Sequence, residues 1–308
     1  MIPNEVLTQM TEETQNSMFG RPLRSLLFCP GADDRKMRKA MRAGADAVIL
    51  DLEDSVDPNS KAAARDLVVG LLSEPRNSAV IVRVNAADTG WHLADLAAVV
   101  RMAPDAIMLP KCTGSQDLRQ LSDRLDALEV AFGIVPARIG ILPLVTESAA
   151  ALQRLDYRDV TPRLVALCFA GEDLASDLGI LARTGAQMNG LLAEARRMVA
   201  IAAAAAGVRA IDTPYPDPRS IGGLQGETRE AVALGFEGKL CIHPDQIAPV
   251  HETFRPEPER IAWGKAVIAA LEQASSGVAV VDGKMVDIAH LRLAHRYVQM
   301  AGLSEGPK

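Results

Sequence analysis

Short apolar runs alternate with amphipathic stretches from residue 24 to about residue 250. Eight runs stand out: Ser25–Cys29, Ala47–Asp51, Ala79–Val84, Ala106–Leu109, Arg138–Leu144, Leu164–Phe169, Val208–Asp212 and Lys239–Ile242. Most are continuously apolar instead of alternating, the pattern of parallel strands covered on both faces. The stretches between them have a helical period. Met37, Ala40, Met41 and Gly44 share one face, as do Leu118, Leu121, Leu125 and Leu128. Leu192, Ala195, Val199, Ala202 and Ala203 repeat the pattern in an Ala-rich segment. Eight strands, each followed by a helix, predict an α/β fold of the (β/α)8 TIM barrel type over residues 21–255. A doubly wound open sheet is the alternative.

The pattern changes near residue 255. Arg255-Pro256-Glu257-Pro258-Glu259-Arg260 reads as a charged connector into a helix at Ile261–Gln273. A β-like run follows at Val278–Val281, then an Asp282-Gly283 turn and a last helix from about Asp287. Residues 256–308 form a C-terminal extension with little apolar content, expected to pack on the barrel or on a neighbouring subunit. Residues 1–20 form an N-terminal extension with three Glu and no Lys or Arg, unlike a secretory signal.

Composition narrows the function classes. The 308-residue chain is 48% hydrophobic and 23% charged, with a net charge of −6 and 4% aromatics. It has no global attraction for nucleic acid and little stacking surface for bases. The longest uncharged run, Met198–Val208, spans 11 residues, short of the ~20 needed to cross a membrane. Cys29, Cys112, Cys168 and Cys241 are widely spaced, as expected of buried thiols in a reducing compartment, and a cytoplasmic protein is the expectation. The first strand turn, Cys29-Pro30-Gly31-Ala32-Asp33, contains neither the dinucleotide fingerprint nor a P-loop.

In a parallel barrel, chemistry gathers where strands end. The second strand ends in Asp51-Leu52-Glu53-Asp54 and the third contains Arg83 followed by Val84-Asn85. Lys111, Glu147 and Ser148, Glu172 and Asp173, and His243 follow later strands. Such a ring suits an oxygen-preferring divalent ion, with Glu147 and Asp173 as its ligands and no His or Cys set for zinc. The structural alternative is that Ser148 and Asp173 serve helix N-termini. Arg83 needs a partner inside a buried strand: the Asp51–Asp54 cluster is one answer, a substrate carboxylate or enolate oxygen another. Arg35, Lys36, Arg38 and Lys39 make a basic helix face, either solvated or in contact with phosphate.

The segments RSLLFCPG (24–31), AVILDLEDSV (47–56), IVRVN (81–85), LPKC (109–112), LPLVTES (142–148), FAGEDLASDLG (169–179), GKLCIHPDQI (238–247) and GKMVDIAHLRLA (283–294) resemble the citrate lyase β-subunit-like and malyl-CoA lyase group of the HpcH/HpaI aldolase superfamily. They cover nearly the whole chain after residue 20, in family order. The resemblance implies a barrel with a C-terminal extension, assembled as trimers or hexamers, and a Mg2+ ion held by Glu147 and Asp173. It further implies that Glu53 and Asp54 stand near the metal's waters and that Arg83 holds substrate and enolate. Arg24, Phe28, Lys36, Glu147 and Glu172 are the implied substrate contacts, and Asp287 is an acid/base residue reaching the adjacent subunit's site.

The implied activity is Mg2+-dependent carbon–carbon cleavage of a β-hydroxyacyl-CoA such as malyl-CoA or citramalyl-CoA. Its alternatives are a citrate lyase β subunit, a malyl-CoA thioesterase or malate synthase-like enzyme, and a non-catalytic barrel. A CoA-free class II aldolase is disfavoured, since no histidine follows the first strand.

Overall fold

The computed structural model describes residues 21–302 apart from 77, 186, 275 and 276. The N-terminal extension expected over residues 1–20 lies outside the described residues. The chain forms two compact units, divided between Val250 and His251.

In the first unit eight parallel strands form the predicted barrel: β1 (Ser25–Pro30), β2 (Ala47–Asp51), β3 (Ala79–Arg83), β4 (Ala106–Leu109), β5 (Gly140–Pro143), β6 (Ala166–Cys168), β7 (Arg209–Asp212) and β8 (Gly238–Cys241). They pair in the order β5-β4-β3-β2-β1-β8-β7-β6. Two parallel bridges, Ile141 with Leu164 and Leu144 with Cys168, join the outer strands and close the ring. The helices of this unit are α1 (Asp34–Ala40), α2 (Lys61–Leu72), α3 (His92–Val99), α4 (Ser115–Phe132), α5 (Ala149–Leu152), α6 (Gly171–Asp177), α7 (Gly190–Ala206) and α8 (Ile221–Leu234). Helix α9 (Ile247–Phe254) carries the boundary between the units.

Both faces of the wall are buried, which is why the strands read as unbroken apolar runs. Leu26, Ile49, Ile81, Met108, Leu142, Ile211 and Leu240 belong to the barrel core. The alternate residues Leu27, Val48, Val80, Val82 and Ile107 are also buried. Among the described residues the barrel core cluster has no aromatic side chain apart from the partly buried Phe28 packed against it, so small and branched side chains fill it.

One set of charges is buried away from the mouth. Lys239 on β8 and Asp212 on β7 are register partners. Nζ of Lys239 lies 2.6 Å from Asp212 and 2.9 Å from Glu227 of α8. Arg196 of α7 grips Asp212 through Nε and Nη2, both at 2.8 Å. The charges compensate one another, as full burial demands.

The second unit contains α10 (Pro258–Gln273), β9 (Val278–Val281), β10 (Lys284–Asp287) and α11 (Ile288–Gly302). Strands β9 and β10 form an antiparallel hairpin through Asp282 and Gly283, both at positive φ, 51° and 73°, as a tight two-residue turn requires. Val267, Val281, Val286 and Ala294 make its own small core, with Trp263 and Leu271 packed against it. Among the described residues no helix is long and apolar enough to cross a membrane. All four cysteines are buried and free, and burial pushes the thiols of Cys29, Cys112 and Cys241 up to about 12.

Candidate active site

The C-terminal ends of the strands bring a charged cluster to one mouth. Arg83, the last residue of β3, is in register with Asp51, the last of β2. Its Nε and Nη2 donate to Oδ1 and Oδ2 of Asp51, each at 2.7 Å. Burial works to raise the Asp51 pKa, but the bonds and charge of Arg83 hold it below the usual carboxylate range. The guanidinium carbon lies 4.9 Å from the Phe28 ring centroid. The first answer to the Arg83 question holds, since the arginine is paired with Asp51, and its guanidinium also lines a cavity.

The loop after β2 adds two more carboxylates. Glu53 is buried, with Oε1 2.8 Å from Nζ of Lys111 and Oε2 3.2 Å from Nη1 of Arg83. Burial raises its pKa and Asp54 adds to this, while Arg83 and Lys111 oppose it. Asp54 is more exposed and lies within 4 Å of both cations, at 3.9 Å from Arg83 and 3.7 Å from Lys111. Gly31 holds this arrangement close to β1. Its N–H donates to the Asp51 carbonyl at 2.8 Å, and a Cβ there would stand 2.7 Å from the same oxygen.

Lys111 contributes more than its place in the sequence suggests. Its φ is 50°, a strained conformation for a side-chain-bearing residue. That turn aims its N–H at Oε2 of Glu147 and its ammonium at Glu53. Backbone strain leaves no compositional trace, and no expectation of a turn at Lys111 came from the sequence. Asp51 takes the role of partner to Arg83 that the sequence offered to the Asp51–Asp54 cluster, whereas the two contacts of Lys111 emerge only from the structure.

Glu147 and Asp173 sit on neighbouring loops. Ser148 is the N-cap of α5, accepting from the N–H of Ala151, so that alternative holds for Ser148. Glu147 has no capping duty: its Oε1 is buried without a hydrogen-bond partner. Burial, opposed by the Lys111 N–H bond and reinforced by the charges of Glu53 and Asp173, pushes its pKa up to about 8. Asp173 lies in the first turn of α6, its pKa raised by burial and then by Asp54. Two threonines fix the approach to it: Thr146 accepts from the N–H of Ala170 at 2.8 Å and Thr213 from that of Gly171 at 3.0 Å.

Two cavities share Asp173 as a lining residue. One, of about 480 Å3, is lined by Phe28, Asp51, Asp54, Arg83, Glu172 and apolar residues including Leu144 and Leu240. The other, of about 390 Å3, is lined by Lys111, Glu147, Ser148, Asp173 and Asp177 among others. Crowded carboxylates with raised pKa values and two buried oxygens without a hydrogen-bond partner, Oε1 of Glu147 and Oε2 of Glu53, fit a hard divalent cation. Mg2+ is typically held by one or two carboxylates and otherwise by water and substrate oxygens. Among the described residues no group of three or more His, Cys, Asp or Glu is placed to hold a metal ion.

Arg24 and Lys36 line neither cavity. Arg24 precedes β1, at the opposite end of the barrel wall, and donates to Asp46 from Nε at 2.9 Å and Nη2 at 2.8 Å. Lys36, on exposed α1, lies 3.5 Å from Asp33. Glu172 lines the larger cavity but is paired with Arg183. Asp287 belongs to the second unit, where it accepts from the N–H of Ala289 and bonds His290 at 2.8 Å. The basic face of α1 forms part of a groove lined by Arg35, Arg38, Lys39 and Arg42, with Arg38 bound to Glu74 at 2.7 Å.

Residues 24–244 match the HpcH/HpaI aldolase/citrate lyase family. Citrate lyase subunit beta of Escherichia coli (strain K12) is 34% identical over 294 residues, covering 92% of this chain and 96% of that protein. The mitochondrial citramalyl-CoA lyase of Rattus norvegicus is 33% identical over 294 residues, covering 91% of this chain and 86% of that protein. The protein CitE of Mycobacterium tuberculosis, crystallised with magnesium, acetoacetate and coenzyme A, has a TM-score of 0.72 and 31% identity to this chain. It covers 92% of this chain, and the match takes in 98% of that one.

Proposed function

The chain belongs to the HpcH/HpaI aldolase/citrate lyase family, and we propose that it is a magnesium-dependent carbon–carbon lyase. Its substrate is a β-hydroxyacyl-CoA such as malyl-CoA or citramalyl-CoA, cleaved to an acyl-CoA and a 2-oxo acid. The observation that carries this reading is the convergence of Arg83, locked by Asp51, with Asp173 on the wall of one cavity. The unpartnered oxygen of Glu147 supports a cation in the adjoining one.

Glu147 and Asp173 would hold the ion, with Glu53 and Asp54 beside its waters. When bound, Mg2+ supplies a Lewis acid for the hydroxyl and carboxylate oxygens of the 2-hydroxy acid part. Arg83 acts on the other half of the scissile bond. Asp51 occupies two of its five N–H donors and Nη1 lies 3.2 Å from Glu53, so the second N–H of Nη2 and an N–H of Nη1 remain to stabilise the thioester enolate oxygen where charge develops. Its orientation is set before substrate arrives, so no reorganisation is needed during the reaction. The groove of Arg35, Arg38, Lys39 and Arg42 supports a place for the phosphates of CoA.

Asp287 is the acid that protonates the enolate carbon in cleavage, acting on the barrel of a neighbouring subunit in a trimer or hexamer. The hairpin supports this reading. Val278 pairs with Asp287 and Val280 with Met285, which places all four on one face. Val280, Met285 and the adjoining Ile288 are 69%, 66% and 73% exposed, an apolar surface suited to docking on another chain. Residues 256–308 thereby serve as a lid between copies, and the free thiols support a cytoplasmic setting.

The test is turnover of malyl-CoA, citramalyl-CoA and citryl-CoA by purified protein, with and without Mg2+. Cleavage of at least one, dependent on the ion, is expected. No turnover on any of them together with no Mg2+ binding overturns the reading.

A further inference from the structure

We propose that Lys61 is a positioning residue of this site, whose buried ammonium sets the Glu53 carboxylate against Arg83 and Lys111. The proposal rests on the lyase reading only for its activity readout. Lys61 is the first residue of α2, where a positive charge opposes the helix dipole, and it is only 6% exposed. Burying an ammonium there is unfavourable unless its donors are satisfied. They are satisfied by backbone: Nζ donates to the carbonyl of Leu52 at 2.8 Å and to that of Glu53 at 2.6 Å. The Trp91 ring covers it, 5.4 Å away.

A second buried group backs the same loop. Nδ2 of Asn85 donates to the Leu52 carbonyl at 2.9 Å and to Oδ2 of Asp95 at 2.6 Å. The Asn85 N–H donates to that same oxygen at 2.9 Å, and Nε of Arg65 donates to Oδ1 of Asp95 at 2.9 Å. Lys61, Asn85, Asp95 and Arg65 line neither mouth cavity, so their polarity is not spent on substrate.

The consequence falls on Glu53. Its carbonyl is tied to Lys61 and its N–H to Oδ1 of Asp51 at 2.9 Å, while the preceding carbonyl is tied twice. Its backbone is therefore restrained on both sides, and the carboxylate is left to face the 2.8 Å and 3.2 Å contacts with Lys111 and Arg83. Because Lys61 bonds the peptide and not the carboxylate, it fixes the position of Glu53 without neutralising the group through an ion pair.

The test is Lys61→Met, which keeps the apolar stem and removes the ammonium. A crystal structure of the variant is expected to show the Glu53 carboxylate displaced by about 1 Å or more, and a displacement of that size lowers kcat by about 10- to 100-fold. KM for the thioester is expected to stay within about threefold, since Lys61 touches no cavity. Lys61→Gln, a shorter neutral donor, carries the same expectations if the methionine variant does not fold. An undisplaced Glu53, or a kcat within about twofold of wild type, overturns the proposal. If wild-type protein turns over none of the three thioesters, the lyase reading fails and the crystallographic displacement alone decides the role of Lys61.

Discussion

Arg83 and Asp51 face each other across adjacent barrel strands, with both carboxylate oxygens 2.7 Å from guanidinium nitrogens. The pair resolves how a cation can end a buried strand, and it fixes the guanidinium plane at the cavity wall. The dual duty makes the two partners separable by mutation.

Arg83→Ala is expected to abolish turnover and, by leaving Asp51 buried without its main cation, to lower stability as well; activity persisting in the folded variant would remove Arg83 from the mechanism. Asp51→Asn removes the bidentate counter-charge of the guanidinium and leaves it Glu53 at 3.2 Å and Asp54 at 3.9 Å. Removing one partner of a buried ion pair costs about 3–5 kcal/mol. Chemical denaturation should therefore register Asp51→Asn as a large loss of stability, accompanied by a fall in kcat.

Glu147→Gln and Asp173→Asn should each weaken Mg2+ binding by at least about tenfold, since a neutral amide replaces half of the two-carboxylate set. Calorimetric titration with Mg2+ alone reads this without any substrate. Chelation of wild-type protein should remove turnover, and added Mg2+ should restore it.

Mg2+ binding should depend on pH through Glu147. Its pKa is raised to about 8, so in the metal-free protein the carboxyl holds a proton at neutral pH. A metal must displace that proton, so apparent affinity should weaken by about tenfold per unit as pH falls below that value. The sign for metal-free stability is the reverse. A raised folded-state pKa contributes stability at low pH that is lost as pH rises from the ordinary carboxyl range through about 8. The thermal shift produced by Mg2+ should accordingly grow between pH 6.5 and pH 8.5, roughly the interval that brackets this titration. A shift independent of pH would assign the proton elsewhere.

Asp287→Ala and Arg83→Ala should each be inactive alone. Mixed oligomers assembled from both should recover part of the wild-type rate, because some barrels then receive an intact Asp287 from a neighbour. Absence of any recovery, with mixing confirmed by mass, would confine Asp287 to its own subunit or remove it from catalysis.

Lys239→Met probes the buried network behind the barrel wall. It leaves Asp212 and Glu227 short of a cation, and a loss of about 3–5 kcal/mol is expected from denaturant unfolding. Unchanged stability would mean that Arg196 and Arg183 carry those carboxylates unaided.

The sequence determined the barrel because burial on both faces of a parallel strand writes itself as an unbroken apolar run. The predicted strand at Ala106–Leu109 coincides with β4, and that at Ala47–Asp51 with β2. The expected runs Arg138–Leu144 and Leu164–Phe169 shorten to β5 and β6, because these strands meet only through isolated bridges at the closing seam. Acidic residues at successive strand ends were equally legible, since fold topology sends all such ends to one mouth.

What only the tertiary structure decided is how those charges are shared. The ordering of partners depends on through-space distances between loops far apart in sequence, such as the 32 residues separating Asp51 from Arg83. The left-handed turn at Lys111, the bonds of Lys61 to the Leu52 and Glu53 carbonyls and the pairing of Arg24 with Asp46 depend on backbone direction. None of these is encoded in the identity of a residue and its immediate neighbours. Composition and period specify which residues are buried and which strand ends they reach; the closed ring of strands specifies which charges meet, and so which carboxylates, Glu53 and Glu147, keep a buried oxygen without a hydrogen-bond partner.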